Sequence, residues 1–261
     1  MATRQNLELF KEYIKVNISM ALEYRFSFVV QTITMVLNDL VWILFWWIFF
    51  SRFEIINGWT MQHMIMLYAL LTFSYGTGSV FFGNKSHLSS IISEGRLDFY
   101  LSLPKNILFH TLISRSNWFG LGDIIFGLTM AGIVLSIKQW PLFLLLSIIS
   151  ATILIAFAIL AHSLAFFFGE ASETARSLNM GITTLASYPY NIFGGAVKVI
   201  MLTILPAGFI TGIPVELLYD FNLIGLLSTL GFAILFLTIS VLVFYKGLRK
   251  YESGSMITTR I

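Results

Sequence analysis

Of 261 residues, 57% are hydrophobic, 16% aromatic and only 11% charged, and the mean hydropathy is +0.84. A soluble domain carries about 25% charged residues, so a single water-soluble core is excluded and lipid is the expected solvent. The net charge of +3 comes without a basic run of nucleic-acid type. The absence of cysteine excludes disulfides, thiolate catalysis and Cys-ligated metal sites. No stretch between the apolar segments is long enough for a second core, so one transmembrane domain, residues 1–261, is expected.

The chain opens with MATRQNLELFKEYIK, which is charged throughout and lacks the short apolar region and small-residue cleavage site of a signal peptide. Targeting is expected through the first membrane helix, which is retained. Over residues 1–24, Leu7, Phe10, Ile14, Ile18 and Ala21 share one helical face, and Arg4, Glu8, Lys11, Glu12 and Lys15 share another. This pattern predicts an interfacial helix lying in the membrane surface; the alternative is a helix packed on the protein itself.

A membrane helix needs about 20 apolar residues. Spans are predicted at 26–50, which ends in the aromatic cluster FWWIFF, and at 61–82, 107–137 and 141–168. The stretch from Leu178 to Leu218 is apolar but broken by Pro189, Pro206 and Pro214. It reads either as a span over 175–192 followed by a re-entrant helical pair over 193–218, or as a span over 191–213 with 170–190 outside the membrane. The first reading is preferred, because proline-broken backbone is tolerated at membrane depth when protein surrounds it. A last span covers 223–245. Both readings give six crossings and an all-α polytopic membrane protein.

Positive residues orient such a chain. With the N-terminus in the cytoplasm, the 16 Lys and Arg divide as thirteen inside and three outside, the three being Arg52, Lys138 and Lys198. Residues 83–106 are therefore expected in the cytoplasm.

Catalytic signatures are lacking. There is no G-x-S-x-G, H-E-x-x-H or G-x-x-x-x-G-K-[ST], and His63, His87, His110 and His162 form no metal-ligand pair at helical spacing. Glu173 and Arg176 in EASETAR match part of an intramembrane protease motif, but the paired histidine motifs are missing. The plainer reading is a turn with acids near a helix N-terminus. Ionisable groups inside spans suggest function. Asp39, beside Asn38, is expected near the middle of the first span. Asp123, flanked by Gly120 and Gly122, is expected near the middle of the third. At 1.5 Å per residue both lie roughly 20–25 Å along their helices, so they are candidates for one translocation pathway; structural carboxyl groups are the alternative.

Residues 86–98 are the main polar interruption. His87, Ser89, Ser90, Glu94, Arg96 and Asp98 alternate with Leu88, Ile91, Ile92 and Leu97. A short helix is predicted, stopped by Gly95 in a left-handed conformation and followed by a return at Pro104. Held between two spans, it is suited to fit a groove on a soluble partner and carry rigid-body motion.

This order of elements, with the pieces Glu94-Gly95-Arg96-Leu97-Asp98 and Pro104, Tyr188-Pro189, Pro206 and Pro214, and the basic tail KGLRKYES, resembles the ABC-2 type exporter permeases, and within them a bacterial group of about this length. The resemblance covers nearly the whole chain. It implies the type V exporter fold and half of a dimeric translocation pore, paired with itself or with a related six-span subunit. It makes 86–98 a coupling helix in which Ser89, Ser90, Glu94, Gly95, Arg96, Leu97 and Asp98 serve contact with a separate ATP-binding subunit. ATP and Mg would be bound by that partner, with no cofactor and no enzymatic activity in this chain. The re-entrant pair 193–218 would face the outer side. The location implied is the bacterial cytoplasmic membrane, multi-pass, with both termini inside. Two other readings stand beside it, an intramembrane protease-like enzyme and a non-transporting membrane assembly or sensor subunit.

Overall fold

The computed structural model describes residues 2–252, and the side chains of residues 6–252. Among these the chain is helical throughout; its one β-type pairing is an isolated bridge between Ile56 and Trp59. In order the helices are α1 (Ala2–Glu23), α2 (Arg25–Phe50), α3 (Met61–Phe81), α4 (Leu88–Ser93), α5 (Leu97–Leu101), α6 (Ile107–Ile113), α7 (Gly120–Val134), α8 (Trp140–His162), α9 (Ala165–Phe168), α10 (Ser172–Ala186), α11 (Gly195–Leu202), α12 (Ile213–Tyr219) and α13 (Leu223–Leu248). A 3₁₀ segment, Gly83–His87, leads into α4, and a π turn, Gly208–Gly212, leads into α12.

Among the described residues four segments are long and apolar enough to cross a membrane: Arg25–Phe50, Met61–Phe81, Ile137–Phe168 and Leu223–Leu248. α3 and α8 are largely buried, whereas α2 and α13 turn most of their surface outward, so α3 and α8 form the centre. α7 lies along α3, and α10 and the π turn cover α8. Hydroxyl-to-carbonyl bonds tie these layers together where water is absent. Ser74 Oγ donates to the Ser147 carbonyl at 3.0 Å, Ser150 Oγ to Ile210 at 2.6 Å, and Thr211 Oγ1 to Ala186 at 2.6 Å.

The bundle has two distinct ends. At the distal end, Asn57 and Asn191 exchange amide-to-carbonyl bonds of 3.3 Å. Gln139 Nε2 donates to the Leu218 carbonyl at 2.9 Å, and His63 stacks on Tyr219 with centroids 4.1 Å apart. The α11–α12 hairpin therefore begins and ends at this end. At the proximal end α1 meets α6, α4 meets α9, and Tyr251 meets Phe166. Proximal elements carry Lys85, Arg96, Lys105, Arg115, Arg176, Lys246, Arg249 and Lys250; distal ones carry Arg52, Lys138 and Lys198. Arg260, counted with the inside set above, lies outside the described residues, and Arg4 outside the described side chains.

Three expected elements are corrected. The span predicted over 107–137 is two helices separated by Ser114–Phe119. Those six residues include Ser114, Ser116 and Asn117, poor helix formers with backbone-competing side chains, and they dock on the end of α3. The Asn117 N–H donates to the Ser79 carbonyl at 3.0 Å, and Asn84 Nδ2 donates to the Thr111 carbonyl and to Ser114 Oγ, both at 2.9 Å. A methyl group on Gly83 would lie 2.6 Å from the Asn117 nitrogen, so only glycine admits the loop there. The coupling element expected over 86–98 holds the short helix that stops before Gly95, α4, but continues past the Glu94–Arg96 turn into a second short helix, α5, that was not expected. The helix expected over 175–192 ends at Ala186 with a 3₁₀ turn at Tyr190–Ile192, because Pro189 supplies no N–H to continue it.

α1 is held to the bundle by Tyr13, whose hydroxyl lies 2.7 Å from His110 Nε2, and by Asn17, whose carbonyl accepts from Trp118 Nε1 at 2.9 Å. Leu7, Val16, Ile18, Met20 and Leu22 remain exposed on it. The helix thus packs on the protein by one edge and offers an apolar edge outward.

Candidate functional site

Two groups of residues at the proximal half carry the chemistry. The first is the α4–α5 element. α4 ends in a Schellman turn: Gly95 has φ 74°, the Arg96 N–H donates to the Ile91 carbonyl at 3.0 Å, and the Gly95 N–H donates to Ile92 at 3.3 Å. The turn lifts Glu94 and Arg96 into solvent. Each is 56% exposed, and they pair with Arg96 Nε 2.8 Å from Glu94 Oε2. Phe99 (61%), Leu101 and Leu103 stand exposed beyond them.

The other side of the element is fixed to the bundle. Leu88, Ile91, Ile92 and Leu97 sit in a core cluster with Leu108, Leu112, Ile159 and Phe244. Ser89 is buried. Its N–H donates to His162 Nδ1 at 3.4 Å and its hydroxyl lies 2.8 Å from the same atom. Ser90 bonds the His87 carbonyl at 2.8 Å, and Asp98 lies beside Tyr251, whose phenol is pushed up to about 12 by burial and then by that carboxylate. Of the residues expected to contact a partner, Ser89 and Leu97 therefore point into the chain and brace the element, a correction that follows from their side of the helix. Phe99, Leu101 and Leu103 join the outward surface. The signal for them was an apolar run beyond the helix stop, next to Pro104.

The bond to His162 gives a direct prediction. Ser89→Ala leaves Nδ1 buried without its hydroxyl partner, and loss of one partner of a buried polar pair costs about 1–3 kcal/mol. A lowered melting temperature of the detergent-purified protein is expected, with Ser93→Ala, an exposed neighbour, unchanged.

The second group is buried. Asp39 (7% exposed) on α2, Asp123 (5%) on α7 and Lys85 (6%) after α3 converge. Asp123 interacts electrostatically with both Asp39 and Lys85. Lys85 Nζ donates to Ser79 Oγ at 3.4 Å and lies 5.7 Å from the Tyr75 ring centre. One oxygen of each carboxyl group, Oδ2, has no hydrogen-bond partner. Asp123 is not in the middle of a helix as expected. The 114–119 break places it in the first turn of α7, where the helix dipole favours a carboxylate. Asn38 is exposed on the outward side of α2, and its side chain hydrogen-bonds Asp39. Lys85 escaped detection because in sequence it is one more positive residue of a polar connection.

A cavity of about 930 Å³ opens at the proximal end between α1, the start of α2, the α4–α5 element and the 114–119 loop. Glu173 and Arg176 pair with each other at 3.3 Å on the exposed start of α10, and among the described residues no group of histidines and acids is disposed to hold a metal ion.

No curated protein and no solved structure matches the chain. A family model described as ABC-2 family transporter protein matches residues 36–255, from the middle of α2 past the end of α13. With its apolar spanning helices and that match over most of its length, the chain is a multi-pass membrane protein and belongs to the ABC-2 family of transporters, as a permease component.

Proposed function

We propose that the chain is the permease subunit of an ABC exporter, forming half of an outward translocation pathway and driven by a separate ATP-binding subunit that carries ATP and Mg. The observation that carries this reading is the α4–α5 element. It is rigidly keyed into the bundle by Ser89, Leu88 and Leu97, yet presents Glu94, Arg96 and Phe99 outward at the end richest in Lys and Arg. A lever needs both properties: a surface for the motor and a stiff joint to the spans. The charge bias supports a cytoplasmic position for that end, and with it both termini inside a bacterial plasma membrane.

On this reading the chain crosses six times, with α6–α7 and α10 as the third and fifth crossings and the α11–α12 hairpin re-entrant from the outer side. Asp39 and Asp123 line the pathway or hold its wall. A second permease, identical or related, covers α2. An amide facing hydrocarbon is costly, and Asn38 stands on the outward face of α2 together with Gln31 and Thr34.

Capture of an ATP-binding cassette subunit by the tagged, detergent-solubilised chain tests the assignment. The triple change Glu94→Ala, Arg96→Ala, Phe99→Ala is expected to weaken that association roughly tenfold, as for removal of an interface hot spot. Association and ATPase stimulation identical to wild type would rule out this element as the coupling surface.

A further inference from the structure

We infer that the proximal cavity is a binding site for an anionic amphiphile, a phosphate or carboxylate headgroup bearing an apolar chain, and that Arg115 is its charge anchor. The inference does not depend on export or its direction. Seven of the eighteen residues that line the cavity, from Asn17 to Gln31, lie before residue 36, outside the family match.

The lining divides by chemistry. Arg115 lies on the 114–119 loop and lines the cavity, and among the described residues no carboxylate forms an ion pair with it. Arg96, the other cation of the lining, is held by Glu94 at 2.8 Å. Asn17 (3% exposed) and Ser116 (9%) also line the cavity. The Asn17 amide nitrogen and the Ser116 hydroxyl are buried with no hydrogen-bond partner. Two orphaned polar groups beside an unpaired guanidinium are what an acidic headgroup satisfies, since a buried donor without a partner costs about 1–3 kcal/mol and Arg recognises phosphate or carboxylate oxygens in bidentate fashion.

One part of the remaining wall is apolar, between polar residues such as Ser27, Gln31 and Asn84. Met20, Ala21, Phe28, Ile91 and Phe119 line it, and Phe26, Met20 and Leu22 beside it are exposed apolar groups at the α1–α2 corner. A chain leaving the headgroup would therefore run along α1 and α2 toward lipid. The positive field of the region is felt by His87, whose imidazole is pushed below its ordinary value by burial first and then by Arg115, Arg96 and Arg176. The volume of about 930 Å³ lies within the usual range of roughly 300–1,000 Å³ for small-molecule sites.

Trp118 lines the cavity and donates to the Asn17 carbonyl, so it is a built-in reporter. The full-length protein in phosphatidylcholine nanodiscs is titrated with dodecyl phosphate, and the Trp118 contribution is taken as the difference from Trp118→Phe. A saturable fluorescence change is expected. Arg115→Gln, at an exposed side chain, should weaken it at least tenfold, and Ser116→Ala about threefold, while the distal Lys138→Gln leaves it unchanged. Inorganic phosphate at equal concentration should produce less than a tenth of the effect. Nanodiscs containing phosphatidylglycerol separate the sources: competition with dodecyl phosphate identifies an acidic membrane lipid, and its absence identifies a soluble amphiphile. No saturable change, equal affinity in Arg115→Gln and Ser116→Ala, or equal binding of inorganic phosphate would each overturn the proposal.

Discussion

Lys85→Met is expected to destabilise the protein by about 1–3 kcal/mol, the cost of withdrawing a donor from the buried Ser79 hydroxyl and a nearby positive group from Asp123, with which Lys85 makes no direct ion pair. Among the described residues Lys85 is the cation that acts on Asp123, and Asp39 acts on the same carboxyl group as a like charge. All three are buried, so water does not replace a lost countercharge. Methionine preserves the volume of the lysine stem, which isolates the electrostatic loss from a cavity. The check is a melting temperature by fluorescence-detected gel filtration, because a multi-span protein in detergent does not give a two-state free energy. Adding Asp123→Asn should recover part of the loss, since it removes the acidic group on which Lys85 acts. If Lys85→Met melts with wild type, or if the double variant is no better than the single, the three groups do not form one cluster.

The outcome bears on function as well as stability. Lys85 lies two residues before His87, at the junction of α3 with the α4–α5 element, and its partner Asp123 is on α7. If the α4–α5 element is the coupling surface proposed above, its displacement would act on the charge balance around Asp39 and Asp123 without any long relay. That is a physical route from the proximal surface to the interior, and the recovery test above reports whether its two ends are coupled.

Much of this was legible in the sequence. Four apolar stretches became four long helices because a lipid-length apolar run must satisfy its backbone hydrogen bonds within itself. Gly95 read correctly as a left-handed helix stop, since few other residues adopt that conformation cheaply. The third span was misread although its length carried a warning. The 31 residues of 107–137 would make a helix of roughly 46 Å for a hydrocarbon core of about 30 Å. Ser114–Asn117 were the place to cut it. The side of the α4 helix that Ser89 occupies, and the burial of Lys85, were not legible. Both depend on partners far away in sequence, His162 for the first and the 114–119 loop with α7 for the second. The cavity is of the same kind. It exists only because α1 folds back onto a loop about 100 residues later, as the bond from Trp118 to Asn17 shows.

Gly127→Leu is expected to have the largest effect of any single change in the membrane core, abolishing accumulation of the folded chain. α7 lies against α3 at glycine distance. A Cβ at position 127 would come 2.6 Å from the Ala69 carbonyl oxygen and 2.8 Å from Phe73 Cβ. At 76 it would come 2.5 Å from the Gly120 carbonyl oxygen and 2.9 Å from Asp123 Cβ. The obstacles are mostly backbone of the facing helix, which cannot rotate away as a side chain can, so the helices must separate. Overpacking costs about 1–3 kcal/mol even where side chains can adjust, and small residues are what permit close helix approach in lipid. Separation would also pull Asp123 away from Lys85, adding the electrostatic loss to the steric one. Gly132, one turn and a half along the same helix, is the control. A Cβ there meets only Trp140 Cζ2, at 3.9 Å, and Gly132→Ala should be neutral or stabilising by up to about 1 kcal/mol through helix propensity. Yield and monodispersity in mild detergent read both variants. Folded Gly127→Leu at wild-type yield would mean that α3 and α7 do not meet at this distance, and the polar cluster that depends on their contact would have to be redrawn.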